Sequence, residues 1–254
     1  MNPEPVRTTG TETIQIRPLT TLEEFNRCVE LQREVWDFTD LELVPKEIFV
    51  VAAGIGGQVF GAFDGAEQVG FLVSVPGYRG GRSYLHSHMT AVLADYRDRG
   101  VGRRLKLQQR EDALARGIEL VEWTFDPLEL KNAYFNIVRL GAMVRKFVRN
   151  KYGRTTSPLH GNLPTDRLVA EWRLKSARVE AILRGQPPAP AADRQRVAVP
   201  RAIGEMKETD TAAAEKIQTE ARREFEHWLG QGYAVTGFEL TDQAGTYLLE
   251  PYAD

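Results

Sequence analysis

Hydrophobic and polar residues alternate at Ile14, Ile16 and Pro18, which predicts a short opening strand. Thr21 then precedes Leu22-Glu23-Glu24, an N-cap with acids in the first turn, and the helix runs to about Val35. A second helix covers residues 45–53 and stops at the glycine cluster of residues 54–57. Residues 58–63 and 68–75 are β-branched and aromatic runs joined at Asp64-Gly65, a hairpin signal. Residues 83–93 read as a longer strand. Residues 101–116 read as a helix stopped by Gly117, and residues 118–125 as another strand.

Asp126-Pro127 predicts the start of a further helix, with Asp126 as N-cap, Pro127 at the first position and Glu129 close to a capping box. This helix ends near Gly141, and residues 143–151 and 167–172 follow as strands. The order is that of an α/β (α+β) chain, a mixed central sheet flanked by helices. The character changes after Arg173. A helical stretch ends near Gly185, and residues 186–192 have linker composition. Residues 211–229 form an amphipathic helix with Ile217, Ala221, Phe225 and Trp228 on one face. A hairpin over residues 233–240 and 247–249 completes a C-terminal α/β extension. The expected divisions are a disordered leader at 1–11, a main domain at 12–175 and the extension at 176–254. The extension has apolar faces of its own. It is expected to close over the first domain or to pair with a second copy in a homodimer.

Composition narrows the function. The 254 residues are 42% hydrophobic and 27% charged, which fits a globular protein rather than a disordered one. Thirty-three Lys and Arg face 35 Asp and Glu, a net charge of -2. No global basic field exists for nucleic acid or an anionic membrane, so a bound anion must meet a local site. A single cysteine, Cys28, excludes an intrachain disulfide and a Cys-based zinc site. No apolar run approaches the roughly 20 residues of a membrane span, and residues 1–10 lack a signal-peptide core. The expectation is a cytoplasmic protein.

That local anion site has a candidate in residues 91–105, which pass from a strand through a glycine turn into a helix. Gly100 and Gly102 let main-chain N–H groups approach a ligand, and the helix N-terminus adds donors and partial positive charge. First helical turns disfavour cations. Here Arg103 and Arg104 occupy that turn, with Arg97 and Arg99 just before it, which suits a bound phosphate. A dinucleotide fingerprint would need a third glycine where Leu105 stands, and a triphosphate loop would need Gly-Lys-Ser/Thr. Arg97-x-x-Gly100-x-Gly102 instead resembles the acyl-CoA motif of the GCN5-related N-acetyltransferases (GNAT), and the order of elements over residues 12–172 is similar to theirs.

The resemblance implies the GNAT fold and an acyl-CoA co-substrate, acetyl-CoA or a larger acyl-CoA. It implies that Val92 and Leu93 meet pantetheine, and that Arg97, Arg99, Gly100, Val101, Gly102 and Arg103 hold the pyrophosphate. It also implies that CoA lies between the strands at 83–93 and 118–125, and that Asn132 contacts the cofactor. The family's usual proton-donating tyrosine is replaced by Ile137, leaving Asn136, Tyr134 and Tyr152 as substitutes.

His86-Ser87-His88 lies in the strand feeding the turn, and alternation puts Tyr84, His86, His88 and Thr90 on one face. Histidine can take a proton from an ammonium near neutral pH. In the family a base often sits six residues before the position of Val92, which is His86, and the pair also resembles arylalkylamine N-acetyltransferases. The same histidines also fit hydrogen-bonded sheet residues, or a metal pair for which no third ligand stands nearby. His160 and His227 are single; Cys28, Trp123, Phe125 and Phe147 read as core. Arg145, Lys146, Arg149 and Lys151 read as a solvated strand edge or as an attractor for a substrate carboxylate. Together these readings imply acyl transfer to a small amine or amino acid, with no metal. The family branch it resembles makes amino-acid N-succinyl transfer one specific form. A non-catalytic acyl-CoA-binding module is the rival from another class.

Overall fold

The computed structural model describes residues 14–153, 163–189, 191 and 193–252. The leader at 1–11 and His160 lie outside the described residues, as do Pro190 and Ala192 of the linker. The chain forms two compact units. One comprises residues up to Pro76 together with Ser87–Asp112; the other comprises Gly77–His86 and the residues from Ala113 onward.

In the first unit, β1 (Ile14–Pro18) pairs antiparallel with β2 (Gln58–Asp64), and β2 with β3 (Glu67–Arg79). The β2–β3 turn uses Gly65 at φ +59°, a left-handed position that glycine takes without steric cost. Helix α1 (Leu22–Trp36) begins with the Thr21 cap and a reciprocal Glu24 contact, a complete capping box. It packs with α2 (Lys46–Gly54) on a core of Phe25, Leu31, Phe49, Phe71 and Val73. The opposite core, of Ile14, Phe60, Leu72, Val101 and Leu105, takes the start of α3 (Val101–Ala115). Cys28 is fully buried. Desolvation pushes its thiol up to about 12, against the Gln68 side chain, which donates to its sulfur.

Strand β4 (Arg82–Val92) belongs to both units. In the second unit it pairs parallel with β5 (Leu120–Phe125), at Leu85↔Val121 and His86↔Glu122. From there the strand order is β4, β5, β7 (Arg167–Arg173), β6 (Met143–Val148), β9 (Tyr233–Leu240), β10 (Ala244–Pro251) and β8 (Gln195–Pro200). One parallel pair among antiparallel ones makes the sheet mixed. The extension therefore continues the sheet outward from β6. Its helix α7 (Thr211–Gly230) buries Ala221 and Phe225 and stacks Phe225 on Phe147. Neither β8 nor the short α6 (Ile203–Thr209) was anticipated from the pattern.

The Asp126-Pro127 helix start is corrected. Asp126 Oδ1 accepts from the Leu128 amide at 2.8 Å, which closes a turn. Helix α4 (Leu130–Tyr134) begins only after Glu129 and passes into a π-helical turn, Phe135–Arg139. Lys207 of α6, itself buried, bonds both Asp126 (3.3 Å) and Glu129 (2.8 Å). Those two acids are thus committed to a tertiary ion cluster rather than to capping. A short helix α5 (Ala177–Leu183) follows β7, capped by Ser176.

Candidate active site

The glycine turn lies wholly in the first unit. Leu93 is fixed by its amide bond to Val69 O (3.0 Å), and a 3-10 turn at Ala94–Tyr96 follows. Tyr96 donates to Asp64 at 3.0 Å, tying the turn to β2. The backbone then reverses through two left-handed residues, Asp98 (φ +57°) and Gly100 (φ +80°). A Cβ on Gly102 would come within 4.0 Å of the Val92 side chain and meet nothing else, so the space before α3 is open. The first helical bond of α3 runs from the Arg104 amide to Gly100 O. The amides of Val101, Gly102 and Arg103 precede it and have no intrahelical acceptor.

The arginines are held in different ways. Arg97 donates to Val92 O (3.2 Å) and Val35 O (3.3 Å). Arg99 donates to Asp95 O (3.3 Å) and lies over the Tyr96 ring. Arg103 carries a buried Nε with no hydrogen-bond partner among the described residues. An orphaned cationic donor in the same first turn as amides without an intrahelical acceptor fits a diphosphate ester. His88, Val92 and Leu93 belong to this unit with the turn; His86 and Asn132 belong to the second unit. Asn132 is exposed on α4 and accepts from Asn136.

Beneath the turn, the first unit holds a buried polar network that the sequence pattern did not signal. Lys106 Nζ donates to Ser87 Oγ (2.8 Å) and Gln109 Oε1 (3.1 Å). Gln109 and Ser74 both donate to Gln58, which donates onward to Asp112. Burial pushes the Lys106 ammonium down to about 7.

The second unit contains a cavity of about 630 Å³ on one face of the sheet. Alternation explains its walls. Val121, Trp123, Phe125, Leu168, Ala170 and Trp172 point into the core, so Leu120, Glu122, Thr124, Val169, Glu171 and Arg173 line the cavity. Tyr84 and His86 join them from β4, while His88 does not. Register places His86 opposite Glu122, and Glu122 opposite Glu171, in a row across three strands. Glu122 is buried and ion-paired with Arg79. Glu171 accepts from Arg145 at 2.8–3.2 Å through three contacts and lies 3.5 Å from Arg173. Tyr152 bonds Thr124 at 3.1 Å, so its hydroxyl reaches the cavity wall. Tyr134 stands half-exposed on α4, and Asn136 and Ile137 are buried in the helix interior. Glu122 and Glu171 were not anticipated as a pair, because β7 inserts between β5 and β6 only in three dimensions.

A second cavity, of about 1030 Å³, adjoins the first and shares Arg79, Tyr84, Leu120 and Arg173 with it. Among the described residues, none beyond Ser176 lines either space. From the extension, the Tyr252 ring lies 5.4 Å from Arg145 Cζ. Among the described residues, no cluster of three His, Cys, Asp or Glu is arranged to hold a metal, and no helix is long and apolar enough to cross a membrane.

A mixed sheet in which β4 runs into a glycine turn and the helix α3 is consistent with the GNAT fold. Residues 19–134 match the Acetyltransferase (GNAT) family. Solved structures share the fold at low identity. The ribosomal-protein-S18-alanine N-acetyltransferase of Escherichia coli is 16% identical, with a TM-score of 0.51 over 65% of this chain and 96% of its own. NAA60 of Arabidopsis thaliana, in complex with a bisubstrate analogue, is 14% identical, with a TM-score of 0.51 over 63% and 97%. A GNAT-family protein of Desulfovibrio desulfuricans is also 14% identical, with a TM-score of 0.51 over 63% and 99%. No curated protein matches the chain.

Proposed function

We propose that the protein is an acyl-CoA-dependent N-acyltransferase acting on a small amine or amino acid. The observation that carries this reading is the turn itself, with left-handed Gly100 and the orphaned Arg103 Nε at the start of α3. Gly100, Val101, Gly102 and Arg103, with Arg97 and Arg99, hold the pyrophosphate. Val92 and Leu93 present strand backbone to pantetheine, and Asn132 is a further cofactor contact. Acyl-CoA supplies an activated thioester carbonyl.

The acceptor enters the cavity with its ammonium towards the row His86, Glu122 and Glu171. His86, with His88 further along the same strand, takes the ammonium proton, and the neutral nitrogen attacks the thioester carbon. The C–N bond forms and the C–S bond breaks; the departing thiolate takes a proton from a general acid, and the second proton lost by the nitrogen restores that acid through solvent. Of the three substitutes for the missing tyrosine, Tyr152 is favoured as that donor because its hydroxyl bonds a cavity residue.

The test is a thiol-release screen crossing acetyl-, propionyl- and succinyl-CoA with amines and amino acids. Turnover that falls at least tenfold in His86→Ala supports the reading. Tight CoA binding without release for any pair overturns it in favour of a non-catalytic acyl-CoA-binding module. Preference for succinyl-CoA with amino acids would specify an amino-acid N-succinyltransferase.

A further inference from the structure

We infer that the sheet-face cavity contains a carboxylate-binding subsite made by Lys146 and Lys151, an inference that rests on the reading of this cavity as the acceptor site. Charge is the first reason. Five cationic side chains line the space against two carboxylates. Both carboxylates are committed, Glu122 to Arg79 and Glu171 to Arg145 and Arg173. Lys146 and Lys151 are left, and among the described residues neither has an ion-pair partner. An anionic group on the ligand complements them.

Backbone construction is the second reason. Register shifts between Val144 and Lys146, so Arg145 is the extra residue of a β-bulge. Without it, strict alternation would turn one of the two consecutive cations to the opposite face, where Val144 and Phe147 pack in the core. The bulge brings both to the cavity, at the cost of a locally broken ladder. Lys151 sits on a pinned turn: its amide bonds Thr165 O and the Tyr152 amide bonds Thr165 Oγ1, both at 2.9 Å. Its ammonium lies 5.2 Å from the Tyr152 ring centre. The geometry suits a carboxylate, whose source is either the acceptor, as in an amino acid, or the far end of a dicarboxylic acyl group.

The first experiment measures binding without turnover, by thermal-shift titration of the full chain with glutarate and with its uncharged diamide. Glutarate alone should raise the midpoint, and Lys146→Ala/Lys151→Ala should abolish the shift while Lys216→Ala on exposed α7 keeps it. Equal shifts by both probes, or an undiminished shift in the double variant, overturn the subsite. The second experiment separates the sources by thiol release. If the acceptor carries the group, the double variant raises KM for an amino acid about tenfold or more and leaves that for its amide unchanged. If the acyl group carries it, the loss follows succinyl-CoA and spares acetyl-CoA with any amine. Glutarate binding with no acyl transfer anywhere would sink the activity and keep the subsite. Transfer indifferent to carboxylates would sink the subsite and keep the activity.

Discussion

Lys106 should make the protein more stable as the pH rises from neutral. Lys106 is 4% exposed, and its ammonium bonds the neutral oxygens Ser87 Oγ and Gln109 Oε1. Burial pushes it from 10.5 in the unfolded chain down to about 7 in the folded one. Between these values the unfolded chain holds a proton that the folded chain has released. Stability therefore rises with pH through this window, by about 1.4 kcal/mol per unit. Below about 7 the cost is fully present, roughly 5 kcal/mol; above 10.5 it is gone. Lys106→Met keeps the length and removes the charge. It also leaves Ser87 and Gln109 short of a donor, at about 1–3 kcal/mol each. That loss does not depend on pH, so the slope isolates the ionisation. Urea denaturation of both proteins from pH 7 to 9 should show the wild type gaining about 2 kcal/mol on the variant. Parallel stability–pH curves would refute the reasoning.

Three further outcomes follow from particular contacts. Arg103→Ala should weaken CoA binding about tenfold by calorimetry, the worth of one charge-assisted bond, while leaving glutarate binding intact. Trp172→Phe should cost about 2–4 kcal/mol in denaturant titrations, because it removes the 2.8 Å bond to Leu140 O and opens space beside Trp123. Cys28 should resist an aromatic disulfide reagent in the native protein and react completely in denaturant, since its thiol is buried and raised to about 12.

Local chemistry was legible residue by residue. Thr21 with Glu24, the Asp64-Gly65 hairpin and Gly117 after α3 all act within a few positions of themselves. The glycine turn is legible for the same reason: strand, reversal and helix start are contiguous, and two glycines mark where backbone must stand bare. Asp126-Pro127 shows the limit of that logic. It has the composition of a helix cap, yet Lys207, 81 residues away in sequence, draws Asp126 into an ion cluster and the helix starts later.

What the sequence alone determined is the class of fold and the glycine turn, because both are written in periodicity and in contiguous motifs. The sheet-face cavity was decided by tertiary structure. His86, Glu122 and Glu171 become neighbours only through strand register, with β7 lying between β5 and β6. One extra residue at Arg145 then brings two consecutive cations to the same face. Lys106 stands among polar neighbours in its helix and reads as surface; packing against Ser87 removes it from water. Side-chain burial and register depend on contacts far apart in sequence, and no local pattern encodes them.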